Sequence, residues 1–225
     1  MKKVLMMISF ILMGCAHQNI ADNKSFAETC HTEISICKKN TSVLAEEIKK
    51  FNAAGGAFIL INLKNNEVLN SASISNLESF DYNVGYSYAP KNIMKLLKKD
   101  KSVTTQLFIQ DYASFIKSAG EKELEELRGN VSNGTAKKIN IEGINIYGLT
   151  ATDYKLDNPD EVITTFLGHF SYQGQEYALI TLLDAPKGIK STYNFNSSGW
   201  NATELAREVI ESVIKNTHLT VSVSV

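Results

Sequence analysis

Charge of one sign is the first thing this sequence lacks: 23 lysines and arginines offset 24 aspartates and glutamates across 225 residues, leaving a formal net charge of −1. With a pI near 6.4 and no polybasic run, it has no electrostatic footprint for nucleic acid or for an anionic membrane surface. Long hydrophobic runs are missing as well. The apolar stretch from Val4 to Met13 falls well short of the roughly 20 residues that a membrane-crossing helix needs. Cysteine is scarce, at three residues, and neither the cysteines nor the four histidines have zinc-ligand spacing, so no metal and no cofactor is expected. Internal repeats and low-complexity tracts are absent too. What remains is an ordinary globular composition, 44% hydrophobic and 21% charged, sufficient for one sizeable domain.

The first residues carry a different signal. Lys2 and Lys3 precede the Val4–Met13 run as in a secretory signal peptide, and "LMGC" at Leu12 to Cys15 resembles the lipobox of bacterial lipoproteins. The expectation is cleavage before Cys15, which then carries the lipid. Cys30 and Cys37 are left as an even pair in an oxidising compartment, either bridged by a disulfide or present as two free thiols. The segment around them is polar and without clear periodicity, and reads as a tether.

From Val43 the pattern changes. Val43, Leu44, Ile48 and Phe51 recur at helical spacing, with "GG" at 55–56 as the stop. "AFILINL" (57–63) then reads as a buried strand, "KNN" as a turn and "EVLNSAS" (67–73) as the hairpin partner. A helical middle follows. "AKKINIEGINIYG" (136–148) alternates Ile139, Ile141, Ile144 and Ile146, which predicts a strand bulged at Gly143. "VITTFLGHF" (162–170) and "EYALITLLD" (176–184) are β-branched and apolar, with "YQGQ" as the turn between them. Residues 202–216 form a final amphipathic helix capped by Asn201 and Glu204. This order predicts an α+β fold: an antiparallel sheet of about five strands, with the N- and C-terminal helices packed on one face.

Several phrases in order, "GGAFILINLKNNEVLNSAS", "YSYAPKNIMK", "VTTQLFIQDYASFIKSAG", "RGNVSNGTAKKINIEGINIYGLTAT" and "GWNA", resemble the transpeptidase domain of class B penicillin-binding proteins of the cell-division type. The resemblance implies a serine β-lactamase/transpeptidase-like fold over 43–217. Residues 1–14 are then a lipoprotein signal peptide, 15–42 a tether and 218–225 a C-terminal tail.

The departures from that family decide the functional reading. In the family, a serine attacks an acyl carbonyl and a lysine one turn later takes its proton; here the serine position is Asn92, while Lys95 remains. An amide has no hydroxyl to activate, so no acyl-enzyme can form on it. Where the family has Lys-Thr-Gly-Thr on a strand, this chain has Leu149, Thr150, Ala151 and Thr152, so the cation for the substrate carboxylate is gone. The serine-x-asparagine motif is missing together with most of the helical subdomain. These four residues, with Asn92 and Lys95, are read as vestigial active-site positions and none as catalytic.

Rival nucleophiles are weak: Ser35 with Lys38 and Ser114 with Lys117 have the right four-residue spacing, but such strings arise by chance. His31 and His169 have no acidic partner at useful spacing. The resulting expectation is a catalytically inactive, lipid-anchored protein facing the periplasm, a scaffold or regulator linked to peptidoglycan synthesis. Its implied partners are envelope or cell-wall synthesis proteins and, through the lipid, the membrane. Ala16 after the lipidated cysteine favours the outer membrane. The alternatives are a weak transpeptidase or carboxypeptidase with an unrecognised nucleophile, and a remnant without function.

Overall fold

The computed structural model describes residues 26–31, 34–75, 105–154, 158, 160–188 and 200–221. In chain order these form β1 (Phe26–Cys30), α1 (Ile34–Lys50), β2 (Gly55–Asn62), β3 (Glu67–Ile74), α2 (Thr105–Ser118) and α3 (Glu121–Ser132). A 3-10 turn (Lys137–Ile139), β4 (Asn145–Tyr154), β5 (Val162–Tyr172), β6 (Gln175–Asp184) and α4 (Ala202–Val221) follow. The strands make one antiparallel sheet of six in the order β1-β3-β2-β6-β5-β4. Five of them are the strands expected from the sequence, and β1 is an addition at the rim.

Strand alternation divides the side chains between two faces. On one, Phe58, Leu60, Phe166, Phe170, Leu179 and Leu183 pack against Leu44, Ile48 and Phe51 of α1 and Leu205, Val209, Ile210 and Val213 of α4. The first and last helices therefore share a face, as expected. On the other face, Ile61, Leu149, Leu167, Ala178 and Ile180 pack against Ile109, Tyr112, Ala113 and Phe115 of α2 and Leu127 of α3. Each fully buried Phe or Leu contributes about 1.5–3 kcal/mol by removal from water, so these layers set the stability of the sheet.

Local chemistry fixes the ends of the elements. Gln173 and Gly174 both take positive φ (49° and 73°), which fits a two-residue hairpin turn between β5 and β6. Asn201 Oδ1 accepts from the Ala202 N–H at 2.7 Å at the start of α4. Gly120 N–H donates to Glu123 Oε2 at 2.9 Å at the start of α3. Helices α1 and α4 are also joined by charge: Lys50 Nζ lies 3.0 Å from Glu47 Oε1 and 2.6 Å from Glu204 Oε1. Burial of Glu47 holds its carboxyl above the ordinary carboxylate value, outweighing the opposing pull of Lys50.

Four boundaries differ from the sequence reading. The expected tether over 15–42 is folded from Phe26 onward, as β1 and the first half of α1. Periodicity was obscured there because the inward positions of α1 are Cys37 and Asn40, which are buried but are not the aliphatic residues that mark a helical stripe. The expected bulged strand over 136–148 is instead a 3-10 turn, a turn closed by the Ile144 N–H on the Ile141 carbonyl at 3.2 Å with Gly143 at φ +78°, and only then β4 from Asn145. Ile139, Ile141, Ile144 and Ile146 all reach the same apolar cluster, so burial made their spacing look like a strand. The two glycines at 55–56 begin β2 rather than ending a helix, and α4 runs to Val221 into the expected tail.

Candidate functional site

The strand expected to carry the family's lysine motif is β4, the edge strand opposite β1. Its register places Leu149 opposite Leu167, Thr150 opposite Phe166, Ala151 opposite Thr165 and Thr152 opposite Thr164. Leu149 is 0% and Ala151 1% exposed, and both face the cluster formed with Ile109, Tyr112, Phe115 and Leu127. Thr150 is buried on the other face, and its Oγ1 donates to Thr135 Oγ1 at 2.7 Å. Thr152 is exposed. Leu149, expected from the sequence at the position of the family's substrate-binding cation, is therefore an apolar side chain in an apolar layer, where an ammonium would lose its hydration.

Helix α3 closes this end of the sheet. Leu127 belongs to the cluster under α2, whereas Val131, one turn later, belongs with Ala136 and Ile139 to the cluster under α4. Those clusters lie on opposite faces of the sheet. The helix that runs between them lies against β4, and the Thr135–Thr150 hydrogen bond ties the chain there. The edge is thus flanked by the chain itself.

One polar group interrupts the apolar layer. His169 on β5 is 6% exposed, with Nδ1 3.2 Å from Tyr112 Oη and its ring stacked on Tyr147 at 4.5 Å between centroids. Burial pushes His169 down to about 4, so at neutral pH the imidazole is uncharged and shares one proton with the Tyr112 hydroxyl in this hydrogen bond. This partner of His169 is not visible in the sequence, because Tyr112 is not an acid and lies 57 residues away.

Other candidates are not brought together. Asn92, Lys95 and Cys15 lie outside the described residues. Ser35 is in the first turn of α1. Ser114 is exposed on α2, and Lys117 Nζ donates to Asn66 Oδ1 at 2.9 Å in the β2–β3 turn. His31 is exposed, its backbone N–H donating to the Leu69 carbonyl at 2.9 Å. Cys30 and Cys37 are joined by a disulfide with a Cα–Cα distance of 5.9 Å. Among the described residues no group of three His, Cys, Asp or Glu side chains could hold a metal ion, and no helix is long and apolar enough to cross a membrane.

This two-faced sheet with a helix-flanked edge is the fold of the transpeptidase domain of penicillin-binding proteins. It superposes on the transpeptidase domain of the FtsI4 D,D-transpeptidase of Legionella pneumophila with a TM-score of 0.62 at 14% identity, covering 82% of this chain and 98% of that one. The transpeptidase domain of Burkholderia pseudomallei penicillin-binding protein 3 gives 0.61 at 11% identity, with 83% and 95% covered. In sequence, the chain is 30% identical over 103 residues to the probable peptidoglycan D,D-transpeptidase FtsI of Caulobacter vibrioides, a match covering 40% of this chain and 18% of that relative. No protein-family model matches the chain.

Proposed function

We propose that the chain is a non-catalytic relative of the penicillin-binding transpeptidases, held at the cell envelope by a lipid on Cys15 and acting as a scaffold or regulator of peptidoglycan synthesis. The observation that supports this reading is the burial of Leu149 and Ala151, at 0% and 1% exposure, on the strand where the family keeps its substrate-binding lysine. The substitution of the serine position by Asn92 points the same way, since an amide offers no nucleophilic oxygen that a base could activate. Envelope and cell-wall synthesis proteins are the proposed partners. The likeness to peptidoglycan transpeptidases supports their class and not their identity.

Incubation with a fluorescent penicillin followed by denaturing electrophoresis tests the proposal. No boil-resistant band is expected; a stoichiometric one would return the chain to the enzymes. The anchor is tested separately: Cys15→Ser should abolish lipid labelling and membrane fractionation, and a wild-type protein that stays soluble after processing elsewhere would remove the anchor from the proposal.

A further inference from the structure

We infer that the Cys30–Cys37 disulfide is a redox latch on β1: a thiol reductant that opens it frees the strand and leaves the edge of β3 to the β1 strand of a second copy of the chain. Strand β1 is five residues long, sits at the rim of the sheet and, among the described residues, pairs with β3, from Phe26 opposite Ile74 to Cys30 opposite Asn70. Of its neighbouring ties, Thr41 Oγ1 to Glu28 Oε1 at 2.9 Å is exposed, so water competes for it. The disulfide is the covalent link from this strand to α1.

The packing around that link is weak in a specific way. Asn40, one turn after Cys37 on α1, is fully buried, and among the described residues neither of its amide atoms has a hydrogen-bond partner. Asn70, the register partner of Cys30, is in the same condition. Each unpaired amide opposes the docking of α1 and β1 onto the sheet. A cross-link with a sequence separation of seven limits the open chain to a small loop and offsets that opposition.

Cys30 is half-buried while Cys37 is 1% exposed, so Cys30 is the less enclosed of the two residues and the end at which attack is proposed. A reductant thiolate attacks Cys30 Sγ and expels the Cys37 thiolate, which takes a proton. A second reductant thiol then attacks the mixed disulfide, releasing the Cys30 thiol and the oxidised reductant. The protein disulfide is reduced to two thiols, and two reductant thiols are oxidised to one disulfide. The uncovered edge of β3 presents unpaired N–H and C=O groups to whatever strand matches their register. The strand that matches is "FAETC" itself, whose register with β3 the sheet already defines, so a second copy supplies an edge partner of identical sequence.

Hydrogen exchange by mass spectrometry on the purified chain, with and without dithiothreitol and alongside light scattering, tests the latch. Reduction should speed exchange in 26–31 and 67–74 about 50-fold, as expected for losing closure of so short a loop, with 175–184 unchanged. At high protein concentration a dimer should appear, and reoxidising it should give a Cys30–Cys37 cross-link between copies on a non-reducing gel. The double variant Cys30→Ser, Cys37→Ser should behave as the reduced protein without reductant. A bond that resists dithiothreitol until the protein unfolds, or exchange in 67–74 that stays unchanged once thiol titration shows the bond open, would overturn the latch. Acceleration throughout β6 as well would also overturn it, because the bond would then hold the whole fold. Release without any dimer would overturn the second copy as the occupant.

Discussion

The Thr150 hydroxyl donates to the Thr135 hydroxyl at 2.7 Å, joining the edge strand of the sheet to the segment that runs around it. Thr150 is 2% exposed whereas Thr135 is exposed, so only one partner has water as an alternative. Thr150→Val keeps the shape and removes the buried hydroxyl, and Thr135 regains its hydrogen bond from solvent. The expected loss is about 1 kcal/mol, with faster exchange confined to 121–135. Urea denaturation with hydrogen exchange checks both, and an unchanged exchange pattern there would show that other contacts hold α3 in place.

Restoring the lysine at position 149 should be costly. An ammonium in the layer of Ile109, Phe115 and Leu127 gives up hydration to apolar neighbours, so Leu149→Lys should destabilise by about 3 kcal/mol or more. It should also fail to restore penicillin labelling, even combined with Asn92→Ser. Near-wild-type stability of Leu149→Lys would mean that this face admits water.

Stability should fall in acid through His169. Its pKa is lowered from 6.5 to about 4 by burial, so below 6.5 the unfolded chain binds the proton that the folded chain refuses. The contribution is fully present above about 6.5, is lost between about 6.5 and 4 as pH falls, and amounts to about 3 kcal/mol at about 1.4 kcal/mol per unit. Denaturation across this range should show that slope, and His169→Asn should flatten it. A wild-type slope retained in the variant would assign the effect to another group.

Gly148 and Phe166 should be coupled. A Cβ at Gly148 would sit 2.5 Å from the Phe166 ring and 3.0 Å from the Leu167 carbonyl oxygen. Gly148→Ala should therefore cost about 1–3 kcal/mol by overpacking, and Phe166→Leu should lower that cost while creating its own void. A double-mutant cycle reads the coupling, and strict additivity would show that the ring moves aside freely.

Much of the layer architecture was legible in the sequence. The stripe of Leu205, Val209, Ile210 and Val213 repeats at the helical period, and "VITTFLGHF" and "EYALITLLD" are long β-branched runs whose two-residue turn admits one register. The chemistry of Asn92 and Leu149 was equally plain, because an amide and an alkyl side chain offer no attacking group and no cation wherever the fold puts them.

What the sequence could not display depends on partners far along the chain. The five residues of β1 have no strand signature strong enough to stand alone, and they become a strand because β3 offers an edge and Cys37 a covalent hold. Ile139 to Ile146 alternate as a strand would, yet the turn at Gly143 bends them onto one cluster, since burial constrains side-chain position and leaves the backbone path open. The neutral His169 exists because the packed layer that brings Tyr112 to it across 57 residues also buries it away from water. Residue chemistry was therefore set by the sequence alone. Which groups are dehydrated, and against whom, was decided by the tertiary structure, because desolvation is a property of the packed layers and not of any local pattern.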